Sequence, residues 1–290
     1  MNDRILFPTD GSEGATAVFE HVLDIAADHD ATVHVLNVAD TTHDSVTRIG
    51  RDVVDVLERE GESFVADLAD AAAGRGVSAV TEVVQGGVDE TIVAYAADRD
   101  IDLIAMSTRG RTGLDHLLLG STTERVLRRS SVPVLSIRPD DASMRYPYRN
   151  VLVATDGSAP ADAAVERAAP LAAAAGAPLH ALSIVDVGAV GSEAYLGVDT
   201  LVDDAEETVA VAADAAASEG VETVEAVEVD ASAPGGIRSY IADHDIDLVV
   251  LGTRGRTGVE RFLLGSVAER TVRTATVPVV TVPGPDRSPE

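Results

Sequence analysis

A glycine- and arginine-rich stretch that occurs twice contains the residues best suited to chemistry. It runs from Met106 to Ser121 (MSTRGRTGLDHLLLGS) and again from Leu251 to Ser266 (LGTRGRTGVERFLLGS). Each copy follows an apolar, strand-like run and precedes a helix-like run. Glycine lets a backbone turn sharply and approach a ligand closely. A turn that leads into a helix directs free N–H groups and the positive end of the helix dipole to one place. The stretch therefore predicts a phosphate site in each half of the chain.

The arginines in these stretches suit the same chemistry. Arg109 and Arg111 flank a glycine in the first copy, and Arg254 and Arg256 do so in the second. Arginine binds phosphate through two parallel hydrogen bonds. In so acidic a chain, two arginines that flank one glycine indicate a site for an anion. Loop arginines also often act only by attracting an anion from a distance, so direct contact and steering both stay open.

A serine at the start of each following helix is the next candidate. Ser121 and Glu124, like Ser266 and Glu269, have the spacing of a capping box, in which the two side chains satisfy free N–H groups of the first helical turn. We expect the glutamates to be structural. We expect the serines to cap the empty helix and to yield to a phosphate when one is bound.

A Thr-Asp-Gly-Ser turn follows the first apolar run in each half and carries Asp10 or Asp156. Asp-Gly is a strong turn signal, so a purely structural role is one interpretation. The position of both aspartates directly after a strand favours a second role, contact with a sugar hydroxyl or with metal-bound water. His34 and His180 occupy matching strand positions and are expected to serve packing.

Composition excludes several classes of enzyme. The chain has no cysteine and no lysine, and all 22 basic residues are arginine. Thiolate catalysis and cysteine-type zinc sites are therefore excluded. The lysines that P-loop proteins, protein kinases and Schiff-base enzymes require are missing as well.

The net charge of −27 arises from 49 acidic and 22 basic residues and is shared almost evenly between the two halves. Such a field repels nucleic acid. An acidic, lysine-free chain is typical of a halophilic protein, because concentrated salt screens the self-repulsion. No apolar run approaches the roughly 18–20 residues that span a bilayer, and the N-terminus lacks the layout of a signal peptide. We expect a cytoplasmic protein.

The two halves are copies of one unit. Arg4–Ser12 (RILFPTDGS) matches Asn150–Ser158 (NVLVATDGS), and Ser131–Ile137 (SVPVLSI) matches Thr276–Val282 (TVPVVTV). The segment between the copies is rich in proline and charge, as linkers often are. We expect domains at residues 1–139 and 150–285, joined by a linker at 140–149.

Each copy alternates strand-like and helix-like segments. In the first copy the pattern predicts strands at 5–9, 32–38, 79–84, 103–106 and 134–137, and helices at 14–29, within 46–73, at 88–99 and at 121–129. This alternation predicts an α/β fold of two tandem doubly wound parallel five-stranded sheets with flanking helices. If the loops after the first and fourth strands serve one ligand, those strands are neighbours, which favours the order 3-2-1-4-5.

With these residues in place, the chain resembles a tandem universal stress protein over nearly its whole length. Nucleotide-binding members of that family carry the pattern G-x2-G-x9-G-[S/T] after the fourth strand. Gly252, Gly255, Gly265 and Ser266 meet the pattern in full. In the first half Gly110, Gly120 and Ser121 meet it, whereas Ser107 stands where the first glycine belongs. Its hydroxymethyl group would either block close approach of a ligand or donate a hydrogen bond to it.

The resemblance implies that each half binds ATP, or AMP or ADP, with Mg²⁺ as a plausible companion. By this resemblance Asp10 and Asp156 contact ribose, and the main chain at Val38 and Ile184 meets the adenine edge. The remaining residues implied to bind phosphate are Ser107, Arg109, Gly110, Gly120, Ser121 and Thr122 in the first half, and Gly252, Arg254, Gly255, Gly265, Ser266 and Val267 in the second.

The resemblance also implies how the protein assembles and acts. In this family the last strand of each domain pairs with another domain, either within the chain or in a homodimer. We expect a nucleotide-binding stress-response protein that acts through nucleotide-dependent conformation or partner binding, with slow ATP hydrolysis at most. The alternatives are a nucleotide-hydrolysing or nucleotidyl-transfer enzyme with an added pocket in segments 41–59 and 187–204, and a nucleotide-free scaffold.

Overall fold

The chain divides into two compact units, Met1–Ala142 and Ser143–Glu290. The computed structural model describes residues 3–40, 51–109, 119–139, 144–188, 197–253 and 264–284, and for residues 51–55 it describes the backbone alone. The predicted residues Gly110, Arg254 and Gly255 lie outside these ranges, as do large parts of the segments in which an added pocket was considered.

Strands and helices alternate along the first unit. In chain order they are β1 (Arg4–Pro8), α1 (Glu13–Asp28), β2 (Thr32–Asp40), α2 (Arg51–Gly74), β3 (Ala79–Gly86), α3 (Val88–Asp98), β4 (Leu103–Ser107), α4 (Ser121–Arg129) and β5 (Val134–Ile137).

The second unit repeats this series. Its elements are β6 (Val151–Ala154), α5 (Ala159–Ala175), β7 (Leu179–Asp186), α6 (Val198–Ala217), β8 (Thr223–Asp230), α7 (Ala233–Asp243), β9 (Leu248–Gly252), α8 (Ser266–Thr274) and β10 (Val279–Val282).

The sheet of each unit is parallel and has the predicted order. The described strands of the first unit pair as β3-β2-β1-β4-β5, and those of the second as β8-β7-β6-β9-β10. The chain moves one way from β1 to β3 and then reverses to β4 and β5. Right-handed crossovers therefore place α1 and α2 on one face and α3 and α4 on the other, and helices of each pair contact each other. The predicted doubly wound fold is confirmed.

The central strands form the core. The side chains of Ile5, Leu6 and Phe7 in β1 have no exposure, and β4 is buried along its whole length. This is why both segments are continuous apolar runs and do not alternate with polar residues. No helix in the described part of the chain is both long enough and apolar enough to cross a membrane.

One aspartate in each unit fixes the start of the first strand. Oδ2 of Asp102 accepts hydrogen bonds from the backbone N–H groups of Asp3 and Arg4, both at 3.0 Å. Asp247 accepts the same pair of bonds, from Arg149 at 2.8 Å and Asn150 at 3.2 Å. These bonds align β1 with β4, and β6 with β9. They set the loops after those strands side by side at the carboxyl edge of each sheet.

Candidate functional site

A cavity of about 540 Å³ opens at the carboxyl edge of the first unit's sheet. It lies where the ends of β2, β1 and β4 meet, at the point where the strand order reverses. Ligands of open α/β sheets bind at this kind of position, and the volume falls within the roughly 300–1,000 Å³ of small-molecule sites.

The cavity brings together residues that are far apart in the sequence. Every described first-unit residue on the predicted list lines it: Asp10, Val38, Ser107, Arg109, Gly120, Ser121 and Thr122. The loop after β1, the end of β2, the end of β4 and the start of α4 therefore share one space.

The Thr-Asp-Gly-Ser turn positions Asp10 at this space. Asp10 Oδ1 accepts a hydrogen bond from the backbone N–H of Ser12 at 3.0 Å, and the hydroxyl of Thr9 accepts one from Gly11 at 3.1 Å. Gly11 has φ of +73°, which a residue with a side chain rarely adopts. The Ser12 hydroxyl in turn accepts from Ala15 at 3.2 Å and caps α1.

The start of α4 differs from the predicted capping box. The N-cap residue is Gly120, with φ −59° and ψ 138°, and Ser121 is already the first helical residue. The N–H of Gly120 donates to the carbonyl of Thr108 at 2.9 Å, which ties this residue to the segment after β4. Glu124 pairs with Arg128 one turn later instead of reaching back. The capping-box prediction is therefore wrong.

The same correction applies to α8. Gly265 is its N-cap, and Glu269 accepts a hydrogen bond from Arg273 at 2.9 Å. The N-cap residue of each helix is thus a glycine, which has no side chain with which to cap it. The first residues of α4 line the cavity, and the N–H groups at the start of a helix are able to bind an anion.

Ser107 ends β4 and lines the cavity beside the start of α4. Its hydroxyl accepts a hydrogen bond from the backbone N–H of Arg109 at 3.2 Å. Its carbonyl accepts one from the hydroxyl of Thr123 at 3.0 Å, which ties the strand end to the first turn of α4. Ser107 has 9% exposure.

One wall of the cavity is formed by α2, which the sequence analysis did not assign to the site. Leu57, Glu60, Gly61 and Phe64 all line the cavity. A Cβ atom on Gly61 would lie 2.3 Å from Oδ1 of Asn37, and one on Gly11 would lie 2.6 Å from the Phe64 ring. The glycines therefore allow α2 to lie close to the sheet edge. The available signal was Gly61 itself, since a glycine inside a helix costs about 1 kcal/mol and requires a reason.

Asn37 joins the same wall to the turn after β1. Its amide donates to the carbonyl of Thr9 at 2.9 Å and is buried. Asp40 at the end of β2, and Val88 and Ile92 of α3, also line the cavity. The cavity thus has an apolar side between α2 and α3 and a polar side at α4.

Carboxylates outnumber cations in the described lining. Asp10, Asp40 and Glu60 contribute negative charge, and Arg109 contributes the guanidinium. Within the described ranges, no group of three or more His, Asp or Glu side chains is arranged to hold a metal ion.

The predicted residues of the second unit occupy matching places. Asp156 Oδ1 accepts from the N–H of Ser158 at 3.1 Å, and Gly157 has φ of +70°. Ile184 lies in β7, Gly252 ends β9 and Gly265 precedes α8. Ser266 and Val267 are the first two residues of that helix and are exposed.

The two strand histidines are structural, as predicted. Nδ1 of His34 lies 3.0 Å from the hydroxyl of Tyr95, and Nδ1 of His180 lies 2.9 Å from that of Tyr240. Burial lowers the pKa of both histidines and raises the pKa of both tyrosines. Each pair is therefore neutral near pH 7 and fastens the second strand of its unit to α3 or α7.

The sequence is similar to those of known proteins. It is 32% identical to a universal stress protein of Methanocaldococcus jannaschii over 142 residues, covering 47% of this chain and 81% of the relative. It is 30% identical to one of Mycobacterium bovis over 240 residues, covering 77% of each chain.

A solved structure and a family model agree with these relatives. The fold matches the crystal structure of a universal stress protein from Archaeoglobus fulgidus with a TM-score of 0.76 and 24% identity, covering 98% of this chain and 97% of that one. The model of the universal stress protein family matches residues 1–138 and again residues 147–283. The chain belongs to the universal stress protein family and carries two of its domains in tandem.

Proposed function

We propose that this protein binds an adenine nucleotide, ATP or its products AMP and ADP, and acts in the stress response through the conformation or partner contacts that the nucleotide favours. The observation that carries the proposal is the first-unit cavity. It joins the aspartate turn, the end of β2 and the open start of α4 in a space of about 540 Å³.

The arrangement of the lining suits the three parts of a nucleotide. The apolar side chains of Leu57, Val88 and Ile92 suit a base, with the main chain at Val38 at its edge. Asp10 lies on the adjoining turn, where a carboxylate can accept hydrogen bonds from ribose hydroxyls. Gly120, Ser121 and Thr122 offer N–H groups at a helix start for phosphate oxygens.

Mg²⁺ has a physical reason to accompany ATP in this cavity. The carboxylates of Asp10, Asp40 and Glu60 share the lining with the cation of Arg109, and a triphosphate adds further negative charge. A magnesium ion that bridges phosphates neutralises part of this charge and needs few protein ligands because it keeps most of its waters. The second unit, with the matching turn at Asp156 and the helix start at Ser266, is proposed to bind a nucleotide in the same way.

Binding can act as a signal because it favours one conformation over another. A ligand shifts such an equilibrium only by its difference in affinity for the two states. The cavity contacts α2, α4 and the turn before α1, so an occupied site links three separate elements. Through these elements a bound nucleotide can change the surface that the protein presents to a partner.

Extraction and mass measurement of any ligand carried by the freshly purified protein tests the proposal. We expect an adenine nucleotide at a substantial fraction of the protein concentration, or full loading after incubation with ATP and Mg²⁺. Protein that stays free of nucleotide after such incubation contradicts it. A parallel assay for released phosphate or AMP is expected to give background rates, and rapid turnover would instead identify an enzyme.

A further inference from the structure

The first glycine of the loop pattern is packed against a helix in the second unit. A Cβ atom on Gly252 would lie 2.6 Å from the carbonyl oxygen of Pro160 and 2.9 Å from its Cβ. Pro160 lies in the first turn of α5. The backbone at Gly252 is not in the left-handed region. Contact with the helix, and not an unusual backbone conformation, therefore requires glycine at this position.

The first unit has the opposite arrangement of small and large residues. Gly14 takes the place of Pro160 at the start of α1, and Ser107 takes the place of Gly252. A Cβ atom on Gly14 would lie 3.8 Å from the hydroxyl oxygen of Ser107, an ordinary contact distance. The helix start thus leaves room for the serine side chain.

In each unit a proline packs at the start of the first helix, but it comes from a different segment of the chain. In the first unit Pro139, which follows β5, lies 3.1 Å from the Cβ position of Gly14. In the second unit its counterpart is Gly284, whose Cβ position lies 2.9 Å from Pro160. At these three matching positions the first unit has Gly14, Ser107 and Pro139, and the second unit has Pro160, Gly252 and Gly284. Wherever one unit has a glycine, the other has a larger residue.

The helix starts differ accordingly. Ser12 caps α1 by accepting a hydrogen bond from Ala15 at 3.2 Å. Its counterpart Ser158 makes no such bond among the described residues of the second unit. The contact between the first turn of the helix and the end of the fourth strand therefore differs between the two units. In the second unit Pro160 packs directly on Gly252, whereas in the first unit Gly14 leaves space beside Ser107.

From this exchange we propose that the first position of the loop pattern is a packing position, and that Ser107 contributes a hydroxyl donor to the phosphate of a bound nucleotide. The second half of this proposal rests on the proposed function. The hydroxyl oxygen of Ser107 accepts a hydrogen bond from the N–H of Arg109. In the described part of the chain this hydroxyl donates no hydrogen bond of its own. Ser107 lines the cavity together with Arg109 and the start of α4, so a phosphate oxygen there can accept that proton.

The packing half is tested by thermal unfolding of the full chain without ligand. Gly252→Ser is expected to lower Tm by roughly 3–6 °C, because it overpacks the start of α5. Adding Pro160→Gly to it is expected to restore part of the loss, because it removes the side-chain atom at 2.9 Å and frees the first turn of α5 to shift, while the carbonyl oxygen at 2.6 Å stays. Pro160→Gly alone is expected to stabilise nothing. If Gly252→Ser does not fold, recovery of folding by Pro160→Gly gives the same support. A Gly252→Ser protein as stable as the parent, or a double variant no better than the sum of the single ones, overturns this half.

The ligand half is tested in the full chain carrying Ser266→Glu, so that binding reports the first unit. Ser107→Ala is expected to weaken ATP and AMP binding about tenfold, as loss of one hydrogen bond to a charged group does, and to leave adenosine binding unchanged. Ser130→Ala, at a serine whose hydroxyl bonds the carbonyl of Val132, serves as the control.

Equal ATP affinity of Ser107→Ala and its parent, or an equal loss for adenosine, overturns the hydroxyl role. If the parent binds no nucleotide at all, the proposed function fails. The unfolding experiment still decides the packing position in that case, because it needs no ligand.

Discussion

At the scale of single residues, the carboxylate of Asp10 performs a structural task before any ligand is present. Oδ1 accepts the N–H of Ser12 at 3.0 Å and so shapes the turn. Asp156 does the same at 3.1 Å in the second unit. An asparagine oxygen can accept the same bond without carrying charge, which separates the turn from the proposed contact with ribose.

Asp10→Asn is therefore expected to fold as stably as the parent and to bind ATP about five- to tenfold more weakly, because hydrogen bonds to a charged acceptor are the stronger ones. Calorimetric titration and thermal unfolding check the two halves of this statement. Asp98→Asn, at an exposed position on α3, is the control. Unchanged affinity in Asp10→Asn would remove Asp10 from the site.

His21 illustrates a residue-scale effect on stability alone. It lies on the buried face of α1 with 4% exposure. Burial lowers its pKa to about 4, against the smaller opposing effect of Asp24. The unfolded chain therefore binds more protons than the folded one between about pH 4 and 6.5. Stability is fully present above pH 6.5 and is lost as the pH falls toward 4.

The free energy of unfolding of the parent is expected to fall by about 3 kcal/mol more than that of His21→Gln across this pH range. Urea unfolding at a series of pH values measures the difference. Parallel curves for the parent and His21→Gln would contradict the assignment.

At the scale of elements, the proposed phosphate-binding helix is fixed by an ion cluster. Asp89 in the first turn of α3 accepts from Arg129 at 2.8 Å and from Arg125 at 3.3 Å, and the aspartate has 8% exposure. Both arginines lie on α4, whose first turn lines the cavity. Pro234 occupies the position of Asp89 in the second unit. Within the described ranges, this ion cluster of Asp89, Arg125 and Arg129 is therefore found in the first unit only.

Asp89→Ala is expected to lower the free energy of unfolding by about 2 kcal/mol and to weaken ATP binding with it. The loss stays below that of a fully buried pair because the arginines are half-exposed and regain water. Glu90→Ala, at a side chain 73% exposed in its contact with Arg129, should cost less than about 0.5 kcal/mol. Denaturant unfolding compares the two. Equal losses of unfolding free energy in the two variants would show that the ion cluster does not stabilise α4.

Strand and helix bounds were largely predictable from the sequence for a physical reason. Parallel strands covered on both faces are continuous apolar runs, and glycine, proline and aspartate turns separate them. The segments at 121–129 and 134–137 agree with α4 and β5 at both ends. The capping box was wrong because it depends on where the helix begins. That point is set by the bond from Gly120 to Thr108, which no local pattern reveals.

The role of α2 in the cavity was not predictable for a related reason. Its periodicity identifies a core-facing side but not the residues that lie over the sheet edge. The contacts of Gly61 with Asn37, and of Phe64 with Gly11, join segments that are far apart in sequence. The other walls were predictable because strand ends in a parallel sheet meet at one edge.

At the scale of the whole molecule, the charge of −27 is the dominant property. The excess of acids is shared by both halves, so repulsion acts within each unit. The Debye length is about 10 Å at 0.1 M salt and about 3 Å at 1 M. Added salt therefore removes most of the repulsion between exposed carboxylates. Pairing through the last strand of each domain stays a prediction at this scale.

The melting temperature is accordingly expected to rise by at least about 5 °C between 0.1 and 2 M KCl, with most of the gain below about 1 M. Scanning calorimetry measures it. Sucrose of equal osmolality separates screening from general exclusion of solutes, which strengthens burial in any protein. A melting temperature that stays flat or falls would contradict adaptation to salt.

The central claim is that nucleotide phosphate binds at the starts of α4 and α8, and titration of the full chain with ATP and Mg²⁺ by calorimetry tests it most directly. Ser121→Glu and Ser266→Glu place a carboxylate at these exposed helix starts, where it repels phosphate and suits the helix dipole. We predict saturable binding to the parent, loss of one unit's contribution in each single variant, and no binding to the stably folded double variant. A parent without heat or thermal shift at millimolar ATP, or a double variant that binds like the parent, would contradict the account.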